Sequence, residues 1–290
     1  MKVNNSKKFS ILSLSLLSAL STSVMADEAE KEFHDADPRN SSFRGGIASD
    51  HNGEVKLITG GGFSNIFGDE TNTQTNLVLE YFTQTQNARF RLAHFDERFG
   101  GLYTDINHVK DALDMYTVGY MLPLSSVDGS AMFFPSVNYT YTNYQTDDIN
   151  ELIHKAVNDQ DAGATHLQNM GYSTGSNNGM SAQSIPQYVD LDDSHLGSVS
   201  LYGLVPWNET HYTVFQLAAG GSYSGEDMQY GNAMLLQGIR TKLGENILNI
   251  YFEAKYDHMA MENIDVLGAG KIDRVSNGEA TFSVGFDFRF

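Results

Sequence analysis

The chain has 290 residues, no cysteine and a formal net charge of −18, from 36 acidic against 18 basic residues. So acidic a polymer repels nucleic acid, and an exported fold without disulfides has to be held by burial or by closure. Mean hydropathy is −0.32, and no long apolar helix follows the amino terminus, which excludes a helical membrane protein but not one that crosses with strands, half of whose side chains are polar.

At the amino terminus Lys2, Lys7 and Lys8 precede an apolar run over 9–20, and Val24-Met25-Ala26 offers the small or aliphatic residues that a signal peptidase reads. A signal peptide over 1–26 is therefore expected, leaving Asp27 first and 264 residues with net charge −21. A membrane-anchoring helix fits less well, because the run is short and broken by Ser. Residues 27–41 are acidic and aperiodic, which predicts a mobile lead-in. The stretch 42–47 fits either a short strand or a segment tucked into the fold.

From there the pattern is one of alternation. Residues 53–66 place Val55, Leu57, Thr59 and Phe63 on one face and Glu54, Lys56, Ile58 and Ser64 on the other. Gly60-Gly61-Gly62 interrupts them; no helix pattern or P-loop lysine follows, so the triplet reads as a bend or a site of close packing. Leu77, Leu79 and Tyr81 then oppose Asn76, Glu80 and Gln84, and after a tight return at 84–87 Phe90 and Leu92 oppose Arg89 and Arg91. Alternation falters at 94–98, where a bulge or an extension is expected. Residues 112–124 and 131–144 pair about a turn at 125–129, and Tyr139, Tyr141 and Tyr144 suit an aromatic girdle. Residues 145–194 are the longest stretch without strand alternation. Within it Ile149, Leu152, Ile153, Ala156 and Val157 recur at helical spacing behind the capping pair Asp148 and Glu151, and 171–184 is rich in Gly, Ser and Asn. The second half returns to hairpins, with turns at 206–210, 224–229 and 244–246. Trp207 sits at the first of these, and 259–278 reads as a further loop.

In the last eleven residues Ala280, Phe282, Val284, Phe286, Phe288 and Phe290 share a face, against Thr281, Ser283, Gly285, Asp287 and Arg289. An all-apolar face of about 9–11 residues suits hydrocarbon. Here the sequence resembles the integral outer-membrane β-barrels of Gram-negative bacteria, whose last strand alternates in this way and closes on an aromatic residue. The resemblance implies an all-β, antiparallel transmembrane barrel over 42–290 in the cell outer membrane, a periplasmic lead-in over 27–41 and a long surface loop over 145–194. It also implies that Phe286, Phe288 and Phe290 serve as the signal read by the barrel-assembly machinery. Outer-membrane lipid and lipopolysaccharide would be its surroundings. About ten strands are expected, twelve if 42–47 and part of the long loop contribute. Short turns near 85, 127, 208 and 245 are assigned to the periplasm and longer links near 70, 108, 147–193, 227 and 260–277 to the outside.

The register points Glu54, Lys56, Glu80, Arg89, Arg91, Arg240, Lys242, Glu253, Lys255, Asp257, Asp287 and Arg289 into the bore. A mixed wall of this kind forms an ion-paired plug or lines a narrow aqueous path. The leading reading is accordingly a narrow passive pore or a structural barrel displaying acidic loops, with no chemistry and no cofactor of its own. Weak divalent-cation sites are conceivable at Asp159 and Asp161 or at Asp190, Asp192 and Asp193, but none completes a calcium loop and a solvated acidic loop is the plainer reading. A second class is a surface hydrolase: Asp193 and His195 resemble the Asp-His element of the omptins, His258 follows Asp257, and His211-Tyr212-Thr213 is a loose echo of the His-x-Ser of outer-membrane lipid hydrolases. Nothing else in the chain matches those families. A third is a solitary barrel resembling an autotransporter translocator, and a soluble exported β-sandwich is the competitor outside the membrane.

Overall fold

The computed structural model describes residues 33–40, 42–66, 72–127, 130–151, 189–266 and 270–290; the expected signal peptide lies outside them. Their strands are β1 (Arg44–Asp50), β2 (Val55–Ser64), β3 (Thr73–Phe82), β4 (Ala88–Asp96), β5 (Gly100–Val109), β6 (Leu113–Met121), β7 (Leu124–Ser125), β8 (Met132–Tyr144), β9 (Ser194–Pro206), β10 (His211–Ser224), β11 (Asp227–Leu243), β12 (Asn246–Val266) and β13 (Gly270–Arg289). Each long strand pairs antiparallel with its neighbours, β13 pairs with β1, and β6 pairs with β8, so twelve strands close into a barrel. The two-residue β7 carries on along β8 from where β6 stops. Closure gives every long strand a partner on both sides over part of its length, which limits edge-to-edge association in an all-β chain without disulfides; on the β1 side β13 is paired only from Ser283 to Arg289.

The two faces of this wall are the reverse of a soluble sandwich. On β12 and β13 Ile250, Phe252, Phe282, Val284 and Phe286 are 45–59% exposed, whereas Asn249, Ser283, Asp287 and Arg289 are 1–7% exposed. Leu57, Leu79, Val118, Val137, Val199, Leu217 and Leu235 continue the exposed apolar belt around the barrel. Large contiguous apolar surface is rare on a water-soluble monomer, and a barrel with a polar interior and an apolar band outside is the transmembrane solution. The soluble β-sandwich is overturned by this arrangement.

Each strand reverses direction, so the connections fall at two ends. The end holding Arg44 and Phe290 also carries the links 65–72, 97–99, 122–131, 207–210 and 244–245; the other end carries 51–54, 83–87, 110–112, 145–193, 225–226 and 267–269. We call these the terminal end and the loop end. The assignment of the links near 70 and 85 is thereby exchanged: the first lies at the terminal end and the second at the loop end. The causes are β1, which adds a strand ahead of β2, and a tight turn at Glu97–Phe99 that divides 88–109 into β4 and β5. In it Asp96 takes the Arg98 amide at 2.8 Å and the Arg98 side chain at 2.7 and 3.0 Å, and Gly100 follows with φ +90°.

The stretch 259–278 is not a loop. It is the far half of the β12–β13 hairpin, in which Met259 pairs with Asn277 and Glu262 with Arg274. With 21 and 20 residues these strands exceed what a bilayer needs, while β1 to β6 have 7–10. Beyond hydrocarbon both faces are free to be polar, so alternation vanishes from the sequence although pairing continues. Of the expected helix, residues 146–151 are helical; the rest lies outside the described residues. The glycine triplet is a packing site: a Cβ on Gly61 would fall 2.4 Å from the Phe43 ring, and one on Gly60 would meet the Leu77 carbonyl at 2.5 Å.

Inside, apolar clusters line the barrel at both ends. At the terminal end Ala93, Phe95, Met121 and Phe134 form one cluster, and Leu204, Tyr212 and Val214 another that includes Ala36. At the loop end Leu113, Tyr144, Leu196 and Met228 pack with Met259, Met261 and Ile149, and Val189 packs with Ile264. A charged layer lies between.

Candidate functional site: the charged bore and the segment that fills it

The charged layer is built by inward positions of β1 to β5, β12 and β13. Glu80 on β3 accepts from Arg91 on β4 at 2.9 Å and lies 3.6 Å from Lys56 on β2, which also reaches Glu253 on β12 at 3.8 Å. Arg89 forks onto Asp105 of β5, with Nε 3.0 and 3.1 Å from its two oxygens, and the Tyr103 hydroxyl donates to the same carboxylate at 2.6 Å. Asp287 accepts from Asn249 at 2.8 Å. A half-buried network of this kind holds its charges through partners, because each ion taken from water would otherwise cost several kcal/mol.

At the terminal end the lead-in enters the bore. Residues 33–40 fold into two successive turns, with the Asp37 amide donating to the His34 carbonyl at 2.8 Å, the Asn40 amide to Asp37 at 3.0 Å, and Asn40 Nδ2 to Phe33 at 2.8 Å. Arg39 grips Asp37 within this unit at 2.7 and 2.9 Å and lies over the rings of Phe33 and Phe134. The wall holds the unit from several strands: Arg240 of β11 donates to Asp35 at 2.7 Å, Arg289 of β13 to the Asp35 carbonyl, Tyr202 of β9 to the Ala36 carbonyl, and Asn76 of β3 to the Asn40 carbonyl. The His34 ring stands edge-on to Tyr212 at 4.8 Å, and its Nδ1 accepts the Ala36 amide at 3.2 Å. Burial pushes the His34 imidazole below its ordinary pKa, Arg240 and Arg289 push the same way, and Asp35 and Asp37 oppose them.

Of the twelve residues expected in the bore, Lys56, Glu80, Arg89, Arg91, Glu253, Asp287 and Arg289 share the charged layer, and Arg240 holds the lead-in. Lys255 and Asp257 pair with each other at 2.7 Å farther along β12. Lys242 is exposed near the terminal end of β11. Glu54 is not in the bore: it belongs to the turn 51–54 and accepts the amides of Gln84 and Thr85 at 2.8 and 2.9 Å, because β2 begins one residue later.

Sequence reasoning missed Arg44, Tyr103, Asp105 and the lead-in residues His34, Asp35 and Ala36. Arg44 faces inward in the stretch left undecided, and Asp105 follows the faltering segment. A basic residue on the polar side of a strand adjoining the glycine triplet was the available signal for Arg44. For the lead-in no local pattern exists, since its contacts are with residues up to 254 positions away.

At the rim, Asp193 accepts from Tyr141 and, at 2.9 Å, from Asn143. His195 Nδ1 lies 2.6 Å from the Tyr139 hydroxyl and its ring stacks between Tyr139 and Tyr223. The two candidates therefore contact tyrosines, and Ser194 between them turns inward, donating to the Glu226 carbonyl at 3.2 Å. Asp257 and His258 point to opposite faces of β12, with Asp257 held by Asn232 at 2.6 Å. No group of three or more His, Cys, Asp or Glu side chains able to hold a metal ion occurs among the described residues; Asp159 and Asp161 lie outside them.

No protein-family model matches the sequence, and no curated protein matches it. Among solved structures the chain is similar to the NanC porin, with 7% identity, 86% of this chain and 100% of that one covered, and a TM-score of 0.44. It is also similar to OmpT, an outer membrane protein of Vibrio cholerae, with 9% identity, 82% and 64% covered, and a TM-score of 0.30.

Proposed function

We propose that this chain is an outer-membrane barrel acting as a narrow passive pore whose bore is filled at its terminal end by residues 33–40. The observation that carries the reading is the anchoring of that unit to the inner wall by Arg240, Arg289 and Tyr202. Eight strands give an interior that side chains just fill, so a ring of twelve needs added matter to close it, and the lead-in supplies it. A purely structural barrel could be lined with apolar side chains; a wall of paired charges suits water once the segment leaves. The terminal end then faces the periplasm, the long loop faces outward among lipopolysaccharide, and Phe286, Phe288 and Phe290 act as the assembly signal. The tyrosine contacts of Asp193 and His195 favour a girdle at the membrane surface over a hydrolytic centre.

Conductance in planar bilayers tests this reading. Asp35→Asn combined with Tyr202→Phe removes two anchors, and the expected result is larger and more frequent unit steps than those of the parent chain. No discrete step from either protein at any voltage would remove the pore.

A further inference from the structure

The inward face of the wall carries a row that pairing alone does not explain. Arg289 on β13 is directly opposite Arg44 on β1, Arg44 is opposite Gly60 on β2, Gly60 opposite Val78 on β3, and Val78 opposite Arg91 on β4. Three arginines thus share one lateral row, separated on one side by a glycine and a valine. Like charges directly opposite on a sheet are destabilising. Gly60 decides where the Arg44 side chain goes: a Cβ there would lie 3.4 Å from Arg44 Nε, so the guanidinium stem runs over the glycine toward the Arg91 side of the row.

The carboxylates nearby are already engaged. Glu80 is taken by Arg91 and Lys56, Asp105 by Arg89 and Tyr103, and Asp287 by Asn249, with Arg289 Nε 3.9 Å away. The Arg44 guanidinium makes no hydrogen bond or ion pair with a described residue, and the buried Nε–H groups of Arg44, Arg91 and Arg289 all lack an acceptor. Arg289 is itself only 4% exposed. Buried donors normally find partners, and guanidinium forks match oxyanions in geometry as well as in charge.

We propose that Arg44, with Arg289 and Arg91, forms a binding site for a small free oxyanion in the bore, just inside the segment 33–40. The bound oxygens would accept from the Arg44 guanidinium, whose Nε–H is orphaned, with Arg289 and Arg91 flanking it in the same row, and would relieve the repulsion between Arg44 and Arg289. A lipid headgroup does not qualify, because the row faces the interior. The site rests on the wall alone and not on conduction through it.

Inorganic phosphate is the probe. Refolded full-length protein in detergent is heated in increasing phosphate, with chloride adjusted to hold ionic strength constant, and the unfolding midpoint is read from the heat-modifiable gel shift. The parent chain is expected to show a saturable rise with phosphate. Arg44→Met should weaken the apparent affinity about tenfold or more, the loss expected of one hydrogen bond to a charged group. Its midpoint without phosphate should stay level or rise as the Arg44–Arg289 repulsion is relieved. Arg98→Met, in an exposed turn, should leave the titration unchanged. Should Arg44→Met not fold, Arg44→Lys, which keeps the charge and loses the fork, should bind more weakly than the parent. The site is overturned by a midpoint that does not rise with phosphate, by an equal rise in chloride alone, or by unaltered affinity in the Arg44 variant that folds. Loss of conductance with phosphate binding retained would remove the pore and leave the site.

Discussion

His34 shows how a single side chain can tie the bore to solution conditions. Its Nδ1 accepts the Ala36 amide, so that nitrogen is unprotonated in the docked segment, and burial beside Arg240 and Arg289 holds the pKa below the ordinary value. The released segment would titrate near ~6.5. Docking is therefore at full strength above that pH and weakens as pH falls below it and on through the docked value, since the released form then binds the extra proton. Hydrogen exchange at the Ala36 amide, corrected for intrinsic rate, should show protection falling as pH drops from 7 to 5, and His34→Gln should flatten the profile. Protection independent of pH in the parent chain would contradict this. The sequence offered no hint of the role, because His34 lies in an aperiodic acidic stretch and its partners belong to β10, β11 and β13. Arg89 and Glu80, by contrast, were legible as inward charges from alternation alone. Their mutual geometry was not, since which acid meets which base depends on strand register.

Among the elements, strands were legible where one face meets hydrocarbon and obscure elsewhere. β12 shows both cases: from Leu248 to Tyr256 the apolar residues alternate, whereas from Met259 onward polar side chains occupy both faces and the strand reads as a loop. β4 and β5 failed for another reason, a three-residue turn whose signal was Asp96 capping Arg98 ahead of Gly100. Turns at the loop end place similar demands. Gly225 has φ +82°, and a Cβ there would fall 1.9 Å from the Asp193 carbonyl oxygen. Gly225→Ala should cost about 2–4 kcal/mol through backbone strain and a clash with main chain that has no freedom to yield. Urea unfolding in lipid vesicles checks it; a loss under about 0.5 kcal/mol, the range of ordinary surface substitutions, would mean that the β10–β11 turn shifts freely. The same turn holds Asp192 through Glu226 at 2.9 Å, so the change should also loosen the start of β9.

For the molecule as a whole, closure is the organising fact. Twelve strands enclose an interior too wide for one dry core, and the chain answers with an apolar belt outside, apolar clusters at both ends within, and charges balanced largely in pairs. Barrel class followed from alternation and from the aromatic carboxy terminus; the filling of the bore did not, because it depends on a segment that carries no period. The absence of cysteine in this chain makes the central claim open to direct measurement. Single cysteines placed in turn at positions 249–256 of β12, labelled with an environment-sensitive fluorophore and reconstituted with brominated lipid, should show strong quenching at 250, 252, 254 and 256 and little at 249, 251, 253 and 255. Quenching that is uniform along the strand, or absent at 250 and 252, would mean that this face does not meet hydrocarbon and that the wall is not a membrane barrel.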